Sequence, residues 1–246
     1  MTDDLVRRLL HRATLVAPTL LGAVLTHTDG ELSVGLRITE VEAYEGDSDP
    51  GSHAFRGETP RTRPMFARPP RVYIYLSYGI HSCVNIVCAP QGVGHGCLVR
   101  AGELLWGSEL MGERRPRARN PRDWARGPGN VGAALAVSPA MSGSELSLKA
   151  LPSVVSPGEK VAEERGATKA HSSRSEDSPN GVDWRALLEP AQGISLYLPA
   201  TPAPVFEQSG RIGVSGEGGD PTRFPWRFYL PGEPSVSRHP RPVAGQ

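Results

Sequence analysis

Apolar and polar positions change their rhythm several times along this chain, and each change marks an element. Leu5, Val6, Leu9 and Leu10 recur at helical spacing behind Asp3 and Asp4, which predicts a short amphipathic helix over 5–12. Pro18-Thr19-Leu20-Leu21 predicts a second helix that starts at its proline. Residues 22–28 then read as a strand, Asp29-Gly30 as a hairpin turn, and 31–44 as the returning strand. In that strand Leu32, Val34, Leu36, Ile38, Glu40, Glu42 and Tyr44 alternate with period two. Strict alternation places all seven on one face, so Glu42 continues an apolar stripe. Residues 71–88 read as two strands that turn near Tyr78-Gly79, and 96–101 as another strand. Leu104, Leu105, Leu110 and Met111 predict a helix over 103–114. The stretch 114–126 holds six arginines with prolines and reads as a loop, and Gly127-Pro128-Gly129-Asn130 opens a small-residue helix that runs through Ala136. Residues 193–199 and 226–230 are late strand candidates.

Length and composition then set bounds. At 246 residues the chain can bury a substantial core, and nothing marks a second one, so the reading is a single domain over 1–237. Within it, 151–190 is rich in Ser, Pro, Glu, Gly and Arg and reads as a flexible insertion; 238–246 reads as a disordered Pro-rich tail. The start of the chain is acidic and no apolar run approaches the roughly 18 residues of a membrane span, so a cytoplasmic, nucleoid-associated protein is expected. Cys83, Cys88 and Cys97 lack paired spacing, which favours reduced thiols. Arginine greatly outnumbers lysine, the usage of a GC-rich bacterial genome.

A net charge of +1 conceals an asymmetry. Residues 1–55 carry 4 Arg against 9 acidic residues, net −5, whereas 56–126 carry 12 Arg against 5, net +7. A basic block beside an acidic segment is a footprint for a polyanion such as nucleic acid, although solvated Arg-rich loops give the same count. Between Glu40-Val41-Glu42-Ala43-Tyr44 with His53 and the hairpin with Tyr73, Tyr75, Tyr78 and Asn85 lies a loop at 56–65. It is rich in Arg, Gly and Pro and suited to gripping an anion. Tyr78 at the turn is either packed on its own strands or a wedge between stacked bases. His81, Cys83, His95 and Cys97 raise a metal-dependent nuclease or deaminase, but their spacing lacks the C-x-x-C of such sites; core cysteines and surface histidines are preferred and no metal or cofactor is expected.

With those residues in place, the chain resembles the alkyladenine (3-methyladenine) DNA glycosylase family over about 9–237, the stretch 151–190 excepted. The markers are Glu40–Tyr44, Thr59-Pro60-Arg61-Thr62-Arg63 with Met65-Phe66, Tyr73-Ile74-Tyr75 with Tyr78-Gly79 and Asn85, Leu98-Val99-Arg100-Ala101, Gly127-Pro128, Arg211-Ile212-Gly213-Val214 and Arg227-Phe228-Tyr229. The resemblance implies an α+β fold: one domain with a curved antiparallel sheet, flanking helices and a protruding tyrosine-bearing β-hairpin. It implies Glu42 as general base, Arg100 and the Ile212 carbonyl as further contacts of the nucleophilic water, and Tyr44, His53 and Tyr75 as pocket walls. Asn85 matches the residue that disfavours the guanine amino group, and Tyr78 the finger that fills the gap left by a flipped nucleotide. Thr59, Arg61, Arg63 and Met65 match contacts to the DNA backbone. The implied partner is double-stranded DNA with damaged purines, the implied state a monomer. Two departures from the pattern matter: Asn130 stands where relatives commonly place Lys, and Ile80 and His81 differ from the usual apolar pair. The alternative is a non-catalytic module that reads modified bases and has no need of Glu42.

Overall fold

The structure, a computed structural model, describes residues 2–152, 182–203 and 205–237. Its helices are α1 (Thr2–Leu9), α2 (Ala13–Val16), α3 (Arg63–Phe66), α4 (Met111–Arg114), α5 (Pro128–Leu135) and α6 (Trp184–Leu188). Its strands are β1 (Val24–Asp29), β2 (Leu32–Glu45), β3 (Val72–Ser77), β4 (His81–Cys88), β5 (His95–Trp106), β6 (Ser147–Ala150), β7 (Gly193–Leu198), β8 (Glu207–Ser209) and β9 (Arg227–Tyr229). One curled sheet joins them in the order β3-β4-β5-β2-β1-β7-β6, antiparallel except for β6 against β7. Strand β2 is its axis: β5 runs along one edge, while the other is shared by β1 in the first half and β9 at Glu40–Glu42. The mixed α+β single domain expected from the chain is therefore present.

Each sheet face can be read from register, because residues paired across antiparallel strands project to the same side. Ala43 pairs with Cys97, Cys97 with Ile86 and Ile86 with Val72; all four belong to the main core, packed with residues of α1, α2 and α5. The next row is Glu42, Leu98, Asn85 and Tyr73, which fall on the opposite face. The stripe expected in β2 is thus broken. Val34, Leu36 and Ile38 enter the core, but so do Val41 and Ala43, so the core parity switches from even to odd. The cause is a pair of register shifts between Ile38 and Val41: Thr39 is the extra residue on β2 and Arg100 the extra residue on β5. Glu42 lies across the sheet from the apolar stripe it was expected to extend.

Three other boundaries differ from expectation. Residues 103–106 continue β5 instead of opening a helix, because Glu103 stands opposite Arg37 and pairs with it at 2.6 Å, and Trp106 lies over Gly35, where a Cβ would come within 2.2 Å of its ring. Helical turns are confined to Ser108–Leu110 and Met111–Arg114. The second helix begins at Ala13, before its proline, and Pro18 sits in a 3-10 turn at Ala17–Leu20 that continues it. The first helix starts at Thr2 and stops at Leu9. Of the stretch expected to be an insertion, residues 153–181 lie outside those described, as do 238–246 of the tail; the described part includes α6, whose Trp184 is buried against a satellite cluster of Leu105, Trp106 and Tyr197. The three cysteines are free thiols, all buried. Among the described residues no helix is long and apolar enough to cross a membrane.

Candidate active site

The two bulges aim charge at one point. Glu40 and Glu42 are fully buried on the non-core face of β2, and the extra residue Arg100 projects between them. Its Nε donates to Glu40 Oε1 at 3.1 Å and its Nη1 to Glu42 Oε2 at 3.2 Å. The same Nη1 donates to the carbonyl of Ile212 at 3.3 Å, while the Ile212 N–H donates to Glu42 Oε1 at 2.7 Å. The Tyr44 hydroxyl donates to Glu42 Oε2 at 2.8 Å. A carboxylate, a guanidinium and a peptide carbonyl therefore converge. Burial disfavours charge on Arg100, but Glu42 and Glu40 outweigh it and raise its pKa. Burial first and the Glu42 charge next push the Tyr44 phenol well above its ordinary range, so it remains a donor.

Tyr44 joins this cluster to a cavity of about 420 Å³ lined by Tyr44, His53, Met65, Tyr73, Tyr75 and Asn85, with Arg61, Tyr78 and Gly213 at its margin. Tyr73 and Tyr75 alternate on β3 and stack at 5.7 Å, and the His53 ring stands edge-on to Tyr75 at 4.5 Å. Arg61 Nη1 donates to the Tyr73 hydroxyl at 3.1 Å and approaches His53 Nδ1 at 3.3 Å; that hydroxyl lies 3.0 Å from Nδ1. A guanidinium can only donate, so Nδ1 is the acceptor and the ring proton sits on Nε2. Desolvation, then the Arg61 charge, lowers His53 to about 4. Burial, then Cys83, raises the Tyr75 phenol. Asn85 is fixed by donating to the Tyr73 carbonyl at 3.1 Å.

Most of the residues singled out in the sequence meet here, though not all at the cavity wall. Glu42, Arg100 and Ile212 do not line the cavity and meet it through Tyr44; of Thr59, Arg61, Arg63 and Met65, only Arg61 and Met65 line it. Thr59 instead bonds Thr62 at 2.9 Å ahead of α3, and Arg63 pairs with Glu58 at 3.2 Å, both exposed. Tyr78 tops the β3–β4 turn at 91 % exposure. The Gly129 and Gly132 positions of α5 admit the hairpin closely: a Cβ at Gly132 would meet the Ser82 carbonyl at 1.9 Å, so these glycines serve packing. Sequence reasoning missed Tyr73 as a wall residue, although its spacing from Tyr75 gives the same face. It also missed Arg211 and Asp49. These form a bidentate pair at 2.6 and 2.7 Å, with the guanidinium 4.5 Å from the Tyr44 ring centroid. No local signal connects residues that far apart in the chain. His81, Cys83, His95 and Cys97 do not converge. His81 is exposed against Gly129 and His95 accepts from the Ala13 N–H at 3.4 Å; among the described residues no group of three or more His, Cys, Asp or Glu is placed to hold a metal ion.

Relatives are similar to this chain along nearly their whole length. A protein of Streptomyces avermitilis, described as "Putative 3-methyladenine DNA glycosylase", is 38 % identical over 236 residues, covering 95 % of this chain and 90 % of its own. A protein of Leifsonia xyli subsp. xyli with the same description is 42 % identical over 233 residues, 92 % of this chain and 88 % of its own. One from Cutibacterium acnes is 39 % identical over 222 residues, 90 % and 93 % of the two chains. The family described as Methylpurine-DNA glycosylase (MPG) matches residues 8–174, which take in the bulged strands, the aromatic cavity and the tyrosine hairpin. On this combination of site geometry and end-to-end similarity, the chain belongs to the methylpurine-DNA glycosylase family.

Proposed function

We propose that the protein excises alkylated purines such as 3-methyladenine from duplex DNA by hydrolysing the N-glycosidic bond. The observation that carries this reading is the buried Glu42 carboxylate, held by Arg100 and the Ile212 peptide and hydrogen-bonded to Tyr44, a wall of the tyrosine-lined cavity. An N-alkylated purine is cationic and leaves readily, so the enzyme has only to position a water, take its proton and stabilise an oxocarbenium-like sugar. A single carboxylate suffices, unlike the pair that ordinary glycosides require. Glu42 accepts the proton from the water, Arg100 and the Ile212 carbonyl hold it, and electron-rich faces of Tyr44 and Tyr75 favour a cationic base by ~0.5–2 kcal/mol per ring. The damaged nucleotide leaves the stack to reach this pocket, and Tyr78 takes its place in the duplex. The reaction we infer ends at base release; among the described residues no amine lines the cavity, Lys149 lying over Tyr197 instead.

The experiment is release of 3-methyladenine from alkylated duplex compared with hypoxanthine from deaminated duplex, run with wild type and with Glu42→Gln. Excision by wild type, reduced ~10²–10⁴-fold in the variant with lesion binding retained, supports the reading. Binding without excision by wild type replaces it with a recognition module.

A further inference from the structure

The carboxylate beside the base is as deeply buried as the base itself. Glu40 Oε1 accepts from Arg100 Nε at 3.1 Å and from Arg227 Nε at 2.5 Å; its Oε2 accepts the Ser237 N–H at 2.7 Å. Arg227 in turn donates to the Ser209 hydroxyl at 2.9 Å and to the Ser237 carbonyl at 2.8 Å. Glu42, Arg100, Glu40 and Arg227 thus form an alternating row of two negative and two positive charges, all essentially out of solvent. Such a row is a poor way to gain stability, since apolar side chains of equal volume stabilise a protein as well or better. Orientation is what it supplies. Arg100 leaves its strand from a bulge, where the backbone alone leaves its direction free; with Nε tied back to Glu40, its Nη1 can face only Glu42 and the Ile212 carbonyl.

We propose that Glu40, itself seated by Arg227 and the Ser237 amide, is the positioning residue that aims Arg100 at the catalytic water. Glu40 touches neither base nor water; it acts through Arg100. The inference rests on the proposed role of Glu42 and deepens it, because the same row sets the charge balance in which Glu42 takes up its proton. The charged and titratable groups facing Glu42 are Arg100 from β5, Tyr44 and Glu40 from its own strand, and Tyr75 from β3. Arg211 stands behind Tyr44, and Arg227 from β9 acts across Glu40.

The test is the pH–rate profile of single-turnover excision in Glu40→Gln and Arg227→Gln, with Glu42→Gln as control. Glu40→Gln leaves two arginines around one carboxylate, so protonation of Glu42 is opposed and the acid limb moves about one unit to lower pH. Arg227→Gln leaves two carboxylates to one arginine, and the limb moves about as far to higher pH. Both lose about tenfold or more in maximal rate, with lesion binding unchanged. Limbs that coincide with wild type, whatever happens to melting temperature, overturn the inference. Persisting excision in Glu42→Gln overturns the functional reading instead. Should the glutamine variants fail to fold, Arg227→Lys keeps the charge but cannot grip Glu40, Ser209 and Ser237 together: a slower rate with an unmoved limb supports the inference, and a wild-type rate overturns it.

Discussion

At the scale of single residues, His53 shows how the pocket sets a protonation state. Its pKa, lowered to about 4, follows from desolvation first and the Arg61 charge next, so the ring is neutral at pH 7. Unfolded histidine takes a proton near 6.5, whereas this ring resists until about 4. Between those values the unfolded state therefore binds more protons, and the stability tied to His53 is complete above 6.5 and lost as pH falls toward 4. A His53→Gln variant should lose less stability than wild type over that interval in denaturant titrations at stepped pH, and Arg61→Ala should raise the His53 titration midpoint seen by NMR. The sequence made His53, Tyr75 and Asn85 legible as cavity residues through the family resemblance, and strand alternation marks Tyr75 besides. It placed Glu42 on the wrong face of its strand. Arg211 was invisible as the support of Tyr44, since its partner Asp49 is 162 positions away.

At the scale of elements, the paired bulges explain that error. Period-two reading assumes an uninterrupted ladder, and Thr39 and Arg100 each break it once. Helix was predicted over 103–114 for a similar reason: the apolar spacing suited both periods, and the cross-strand partners at Gly35 and Arg37 decided for strand. The hairpin was easier, because Gly79 marks its turn. Tyr78 and Gly79 have φ of +52° and +73°, and the Ile80 N–H closes the turn on the Ser77 carbonyl at 3.2 Å, as a type I′ turn requires. A tyrosine at positive φ is held at a cost of ~1–2 kcal/mol. Tyr78→Gly should therefore raise the melting temperature by ~2–6 °C in a scanning denaturation. The same change should lower excision from duplex DNA while sparing a lesion in single-stranded DNA, where no gap needs filling. Equal losses on both substrates, or a lower melting temperature, would make Tyr78 a packing residue.

For the whole molecule, the asymmetry between a basic middle and an acidic start points to electrostatic capture of the substrate. Arg117, Arg119 and Arg122 are exposed in the loop that leads to α5, as are Arg61 at the cavity margin and Arg63 at the start of α3. Affinity for lesion duplex should fall steeply with salt, log affinity declining by ~0.9 for each phosphate neutralised against log salt. Replacing Arg117, Arg119 and Arg122 together by Gln should flatten that slope by up to ~2.7 in fluorescence titrations; an unchanged slope would place the duplex elsewhere. Strand pairings between sequence neighbours were legible from turn residues, but the closure of β2 by β9 was not, because it joins residues 40 to 42 with 227 to 229 and carries no turn signal. That closure has a bearing on how the protein is made. A nascent chain that has emerged only as far as β7 possesses Glu40, Glu42 and Arg100 but lacks the Ile212 peptide, Arg227 and the Ser237 amide, so its carboxylates outnumber their arginine. Ribosome-bound chains arrested before residue 207 should then release no base, and activity should appear only once residue 237 has cleared the exit tunnel. On the proposed reading, base release would wait for the closure of β2 by β9.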